Sequence, residues 1–294
     1  MTPLSQEILA EIRRIEIFTR RLVNQQMAGH YHSVFKGRGM SFDEVRAYTP
    51  GDEPRLIDWN VTARTGQAHV KTFVEERELT VMILVDMSGS MAFGTLKNQK
   101  RVMAARLAAM MAFSAITNGD RVGLVAFTDT VEAFIPPKKG RKHVLRIIDQ
   151  ILRFEPKGRG TDLEEVLNFI GRVQRRKSVV FLISDFLDEA FEKALNVTAQ
   201  RHDLIPLRVV DPAEESLPDL GLILLEDTET GQPMLIDSGS RGVRREYASS
   251  QRERADAFET QLKRFGVTPI TVETNTEDYA GPLINFFRIR ARRA

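Results

Sequence analysis

The run TVMILVDMSGSM (80–91) decides how this chain is read. Thr80 to Val85 are continuously apolar or β-branched, as in a strand buried on both faces of a parallel sheet. Asp86 then opens a polar loop in which Gly89 permits a tight turn between Ser88 and Ser90. In an open α/β sheet, ligands bind outside the carboxyl ends of the strands near the topological switch point, which is where such a loop would lie. Asp86, Ser88 and Ser90 offer three hard oxygens, suited to Mg²⁺, Mn²⁺ or Ca²⁺ rather than zinc or copper. The same D-x-S-x-S string also occurs as an ordinary polar loop after a strand, so its surroundings carry the weight.

Outward from this run the chain alternates short apolar stretches with helical ones: KRVMAARLAAMMAFSAI (100–116), RVGLVAF (121–127), HVLRIIDQIL (143–152), LEEVLNFIGRVQRR (163–176), SVVFLISD (178–185), a helical segment near 188–200, and DLIPLRVVD (203–211). The rhythm predicts an α/β fold with a doubly wound, mostly parallel sheet flanked by helices. It pauses after Asp211, where LGLILLED and QPMLID around the turn-rich DTETG predict a β-hairpin inside an insertion of about 212–254. A helix (255–266), the strand VTPITVE (267–273) and a tail helix ending in RIRARR then resume it. At the other end, Ile8, Ile12, Ile15 and Leu22 recur at helical spacing and predict an amphipathic helix reaching about residue 27. Residues 27–78 break into Gly, Pro and charge, so the expected organisation is an N-terminal lobe (1–78) added to an α/β domain (79–294).

Composition sets the limits on function. The 294 residues are 42% hydrophobic and 28% charged, as in a globular protein rather than a disordered or fibrous one. Lys and Arg total 42 against 40 Asp and Glu, a formal charge of +2, so no global field favours nucleic acid. The basic runs at 138–142 and 288–293 read as solvated surface, and no nucleic-acid partner is expected. Absence of cysteine excludes disulfides, thiolate metal sites and thiol nucleophiles. Glu7, Glu11 and Glu16 interrupt the opening apolar residues, unlike an export signal. The apolar run 107–116 is half the roughly 20 residues that span a bilayer. A cytoplasmic protein without membrane insertion is the expectation.

Two further loops fall at the same edge of the expected sheet. Gly160-Thr161-Asp162 opens a helix, and Ser184-Asp185-Phe186 follows the strand SVVFLI. Asp86, Ser88, Ser90, Thr161 and Asp185 together would make an oxygen-rich cation site with room for water or an outside ligand. With these residues in place, the chain from about 79 to 211, resuming at 255–273, resembles a von Willebrand factor A domain with its metal-ion-dependent adhesion site. Matched position by position, that resemblance implies Asp86, Ser88, Ser90, Thr161 and Asp185 around one divalent cation, with Asp162 outside the direct ligands or at a helix N-terminus. Neutral Ser and Thr ligands leave such an ion electrophilic, so an Asp or Glu of a partner protein completes its coordination.

Upstream, RAYTPGDEPRLIDW (46–59) supplies Arg46, Tyr48, Pro50, Gly51, Asp52, Arg55, Asp58 and Trp59. Together with Ala63-Arg64 and the stretch from Lys71 to Glu75 and Glu76, it resembles the signature of the bacterial domain-of-unknown-function 58 family. The resemblance implies a protein that works beside a MoxR-type AAA+ ATPase in chaperone-like assembly or maturation, and the expectation here is a binding protein rather than an enzyme. Longer members of the family carry membrane helices, and this chain departs from them in that respect. The signature segment has two readings, a loop that contacts the partner or a brace whose charges pair among themselves while Tyr48 and Trp59 supply apolar area.

Other functions compete with this one. A Mg²⁺-dependent phosphoester hydrolase would also place an Asp after the first strand, but it needs a second Asp two residues on as general acid, and that position here is Ser88. A purely structural scaffold remains the third reading. Gly37-Arg38-Gly39 and Gly158-Arg159-Gly160 lack the spacing of a phosphate-cradling loop. His30 and His32 have no third ligand nearby in sequence, and read as exposed or capping residues rather than a metal pair.

Overall fold

The run 80–86 forms a central strand of a six-stranded sheet. The computed structural model describes residues 3–23, 31, 34, 41–74, 78–94, 99–188, 191–226, 231–276 and 278–292. His30, His32, residues 37–39, Glu75, Glu76, the turn residues 227–230 and Arg293 lie outside that set. In chain order the elements are α1 (Pro3–Leu22), β1 (Ser41–Ala47), α2 (Trp59–Thr65), β2 (His69–Val74), β3 (Thr80–Asp86), α3 (Lys100–Thr117), β4 (Arg121–Phe127), β5 (Val131–Lys138), α4 (Arg141–Arg153), α5 (Leu163–Val173), β6 (Val179–Ser184), α6 (Glu192–Arg201), β7 (Asp203–Val210), the single turn α7 (Pro212–Glu215), β8 (Leu222–Glu226), β9 (Pro233–Asp237), α8 (Arg241–Arg264), β10 (Ile270–Glu273) and α9 (Gly281–Ala291).

The sheet order is β10-β7-β6-β3-β4-β5, parallel except for β5, which runs antiparallel to β4. A mixed α/β architecture with a mostly parallel sheet flanked by helices is therefore observed. The central strands are buried along nearly their whole length, which explains their unbroken apolar sequence. One sheet face carries Met82, Leu84, Val125, Val180 and Leu182 and packs on α5, α6 and the end of α8 through Leu163, Val166, Ile170, Leu195, Phe258 and Leu262. Helix α3 is buried almost all round, with Ala104, Ala105, Ala108, Ala109 and Ala112 fully covered. The apolar run 107–116 is thus a core helix. Among the described residues no helix is long and apolar enough to cross a membrane.

Three boundaries differ from expectation. Strand β5 was not foreseen: Pro136 and Pro137 interrupt its signal, and an edge position tolerates them. Helix α8 begins at Arg241, so the expected insertion end at 254 falls inside it. Its first half is charged and only Phe258 and Leu262 are buried, which leaves little apolar periodicity to read. Helix α1 groups with residues 80–294 rather than with a 1–78 lobe, because Ile12 and Ile15 are buried where it packs on α3 and α4, reinforced by Arg106–Glu11 and Arg141–Glu16 ion pairs.

Residues 35–79 form a second compact unit. Its antiparallel β1–β2 pair runs from Ser41↔Val74 to Ala47↔His69, with a register shift between Phe42 and Val45. Helix α2 sits between the strands in sequence, capped by Asp58, which accepts the N–H groups of Asn60 and Val61. The expected hairpin is present as β8 paired antiparallel with β9.

Candidate functional site

Topology brings two carboxylates to one edge. Strands β3 and β6 are parallel neighbours with Val85 opposite Ile183, so Asp86 and Asp185 leave adjacent strands at their carboxyl ends. From β3 the chain first builds β4 and β5 on one side, then crosses to β6 on the other. The boundary between β3 and β6 is therefore the switch point where α/β sheets hold ligands.

Asp86 is fully buried and both its oxygens are engaged. Oδ1 accepts the Ser88 N–H at 2.9 Å, and Oδ2 accepts the Ser184 hydroxyl at 2.7 Å. The Ser184 Oγ in turn accepts the Phe186 N–H at 3.0 Å. Phe186 adopts φ +58°, an unfavourable conformation for a residue with a side chain, and its ring packs 4.7 Å from Phe258 and 6.2 Å from Phe191. Ser88 and Ser90 are buried with their Oγ atoms 3.1 Å apart.

The second loop is tied to the first through backbone. The Gly89 N–H donates to the Arg159 carbonyl at 2.8 Å, which fixes residues just before Thr161 against the Asp86–Ser90 turn. Thr161 is half-buried there. Asp162 caps α5 by accepting the Glu165 N–H at 2.8 Å, so it is a helix N-terminal residue as expected. Glu132 holds the same loop by accepting from the Thr128 hydroxyl and from the N–H groups of Lys157 and Gly158. Burial opposes its ionisation, but these donors outweigh it and hold the carboxyl below its ordinary value.

Lys100, which sequence reasoning passed over as the first residue of a helix, is a principal component of the site. It is fully buried, with Nζ 2.9 Å from Asp185 Oδ2 and 2.5 Å from Glu214 Oε1. Burial alone would lower its pKa, but the two carboxylates outweigh it and raise it. Glu214 comes from α7, where Asp211 forms a capping box with it. The signal that could have pointed to Lys100 is a cation opening a helix whose next two turns are mostly Ala, Leu and Met.

The electrostatics of this cluster fit a divalent cation. Asp86, Asp185 and Glu214 set three carboxylates against one ammonium in a mostly buried group. Burial, followed by the charge of Asp185, pushes Asp86 up to about 7. Asp185 is 4% exposed and its Oδ1 has no hydrogen-bond partner, an uncompensated acceptor of the kind a cation satisfies. Two carboxylates and the Ser88 and Ser90 hydroxyls form a hard oxygen set appropriate to Mg²⁺, Mn²⁺ or Ca²⁺. Among the described residues no group of three His, Cys, Asp or Glu is arranged for a metal, so any cation here would depend on hydroxyl ligands.

The signature residues belong to the 35–79 unit. Arg46 binds Asp52 in a two-bond fork, 2.7 Å for each, while Asp52 also accepts the Thr49 N–H at 2.8 Å and the Thr49 hydroxyl at 2.9 Å. The Arg46 and Thr49 bonds hold the Asp52 carboxyl far below the usual carboxylate range. Pro50 and Gly51 make the turn between them, Gly51 at φ +112°. The Tyr48 N–H donates to the Ala68 carbonyl at 2.9 Å, and Asp58 adds an ion pair to Lys71 at 3.4 Å. Arg55 and Arg64 are exposed, and Arg64 Nε donates to the Asn60 carbonyl. Charge pairing within the segment is thus present at Arg46 and Asp52. Trp59, expected to supply apolar contact area, is 70% exposed.

Residues 44–257 match the family model described as "Protein of unknown function DUF58". Uncharacterized proteins of Mycobacterium tuberculosis and Mycobacterium bovis are each 30% identical over 293 residues, spanning 98% of this chain and 91% of theirs. Among solved structures, the conserved hypothetical protein BatB from Bacteroides thetaiotaomicron is similar over 74% of this chain and 100% of its own, at 17% identity and a TM-score of 0.46.

Proposed function

The chain belongs to the DUF58 family, and from the cluster at the β3/β6 edge we propose that it is a divalent-metal-dependent protein-binding module of the von Willebrand factor A type. The observation that carries this reading is the buried Asp86 and Asp185 pair, in which the charge of Asp185 acts on Asp86, with Asp185 Oδ1 left without a partner and the buried Ser88 and Ser90 hydroxyls on the loop that Asp86 opens. Asp86, Ser88, Ser90, Thr161 and Asp185 are the proposed ligands, directly or through water. A bound Mg²⁺ or Mn²⁺ would supply an electrophilic position that an Asp or Glu of a partner protein can occupy. The chain's own residues prepare that position. Ser184 and the Ser88 N–H orient Asp86, Lys100 holds one oxygen of Asp185 and leaves the other available, and the Gly89–Arg159 bond sets the Thr161 loop. The partner implied by the family resemblance is a MoxR-type AAA+ ATPase in chaperone-like assembly or maturation.

Asp86→Ala and Asp185→Ala should each abolish Mg²⁺ binding in a calorimetric titration with circular dichroism unchanged, and Ser88→Ala should weaken it on the order of tenfold, ~1.4 kcal/mol. Unchanged cation affinity in both Asp variants would remove the site. Pull-down from native lysate with wild type in Mg²⁺, wild type in EDTA, and Asp185→Ala in Mg²⁺ tests the function itself. An AAA+ ATPase retained only by wild type in Mg²⁺ is the expected result, and retention in all three conditions would overturn it.

A further inference from the structure

Beside Asp185 lies a cavity of 460 Å³, walled by Asp185, Arg208 at the end of β7, Glu214 of α7, and Gln251, Arg252 and Arg254 of α8. A second cavity of 280 Å³ adjoins it and shares Arg208, Gln251 and Arg254. Tyr247, Gln251, Arg254 and Phe258 follow one another at four-, three- and four-residue intervals, so one face of α8 lines both hollows as a trough.

The charges in this trough are unevenly satisfied. Asp185 and Glu214 share Lys100 between them. Among the described residues Arg208, Arg252 and Arg254 make no ion pair, and Arg208 instead lies over the Phe258 ring at 5.6 Å. Glu215 is one further carboxylate in the wall of the larger cavity and is exposed, and Asp188 and Glu192 line the smaller one, where Asp188 accepts the Leu163 N–H at 2.9 Å. Guanidiniums without an ion-pair partner keep their forked donors available, and an anionic ligand with several carboxylates can pair with them. Asp185 links the trough to the candidate cation site, since it lines the larger cavity and its buried Oδ1 is without a partner.

We propose that this trough binds an acidic segment of a partner protein, one carboxylate reaching the cation at Asp86 and Asp185 while further carboxylates pair with Arg208, Arg252 and Arg254. The inference rests on the metal-dependent reading and adds to it the chemistry of the partner: a segment with consecutive or alternate acidic residues rather than a lone Asp or Glu. Extended peptide advances about 3.3 Å per residue with side chains on alternate faces, so alternate carboxylates, about 6.6 Å apart, face the trough.

The test measures fluorescence anisotropy of labelled octaglutamate with the full chain, in Mg²⁺ and in EDTA. Octaglutamine serves as the neutral control, and inorganic phosphate and oligodeoxythymidylate serve as competitors. Arg252→Gln/Arg254→Gln changes two exposed residues and leaves the core untouched, and Arg208→Gln is the second variant. Each should lower octaglutamate affinity about tenfold while Mg²⁺ affinity by calorimetry stays within about twofold of wild type. Octaglutamine should not bind. If wild type binds no Mg²⁺ yet the arginine dependence persists in EDTA, the trough is supported and the metal reading fails. Absence of octaglutamate binding to wild type, affinity unchanged by both arginine variants, or stronger competition by phosphate or the oligonucleotide than by unlabelled octaglutamate would each overturn the proposal.

Discussion

Lys100 shows how much a single buried charge organises. Its ammonium is enclosed with the carboxylates of Asp185 and Glu214, and removing one partner of a buried ion group leaves the others uncompensated. Lys100→Met, close in length and apolar, should cost about 3–5 kcal/mol in urea denaturation, and Glu214→Gln in the same background should recover part of that loss. A loss below about 1 kcal/mol would mean that water or backbone already compensates the carboxylates. Asp86, Ser88 and Ser90 were legible in sequence because one short loop carries all three and a strong strand precedes it. Lys100 and Glu214 were not, because Lys100 lies 85 residues before Asp185, Glu214 belongs to a separate turn after β7, and the three meet only after the sheet has formed.

At the scale of elements, the loop 154–162 is held by fit rather than by regular secondary structure. A Cβ on Gly158 would fall on the Asp129 carboxylate and 2.5 Å from Thr128 Oγ1, in the place where Glu132 collects the Lys157 and Gly158 N–H groups. Gly158→Ala should therefore shift the loop, break the Gly89–Arg159 backbone bond and cost about 1–3 kcal/mol. Cation affinity should fall with it, because Thr161 moves with the loop. Equal Mg²⁺ affinity in Gly158→Ala and wild type would separate Thr161 from the cation. Sequence showed Gly158-Arg159-Gly160 only as a string without phosphate-loop spacing. The close approach that requires glycine comes from β4 and β5, whose pairing no local pattern reveals. Strand β5 was missed for a related reason, since its edge position accommodates two prolines that argue against a strand in isolation.

For the whole molecule, stability should depend on pH through His202. This imidazole is buried beside Ser178, whose Oγ lies 3.0 Å from Nδ1, and burial, followed by the charge of Arg201, lowers its pKa. The folded chain thus binds the proton more weakly than the unfolded one. The stabilisation is complete above the unfolded value of about 6.5 and is lost as pH falls through the lower folded value, with a slope of at most about 1.4 kcal/mol per pH unit. His202→Gln should flatten the urea midpoint between pH 7 and pH 5 relative to wild type, and identical slopes would contradict the assignment. The sequence by itself determined the α/β class, the order of its buried strands, the hairpin and the Asp86 loop, because burial on both faces of a sheet imposes continuous apolar runs and a local turn needs only neighbouring residues. Tertiary structure alone decided that α1 joins residues 80–294, that β3 and β6 stand side by side, that Lys100 lies between Asp185 and Glu214, and that three arginines of β7 and α8 share one trough. Those facts depend on long-range packing, where the free energy of burial selects partners that no sequence interval specifies.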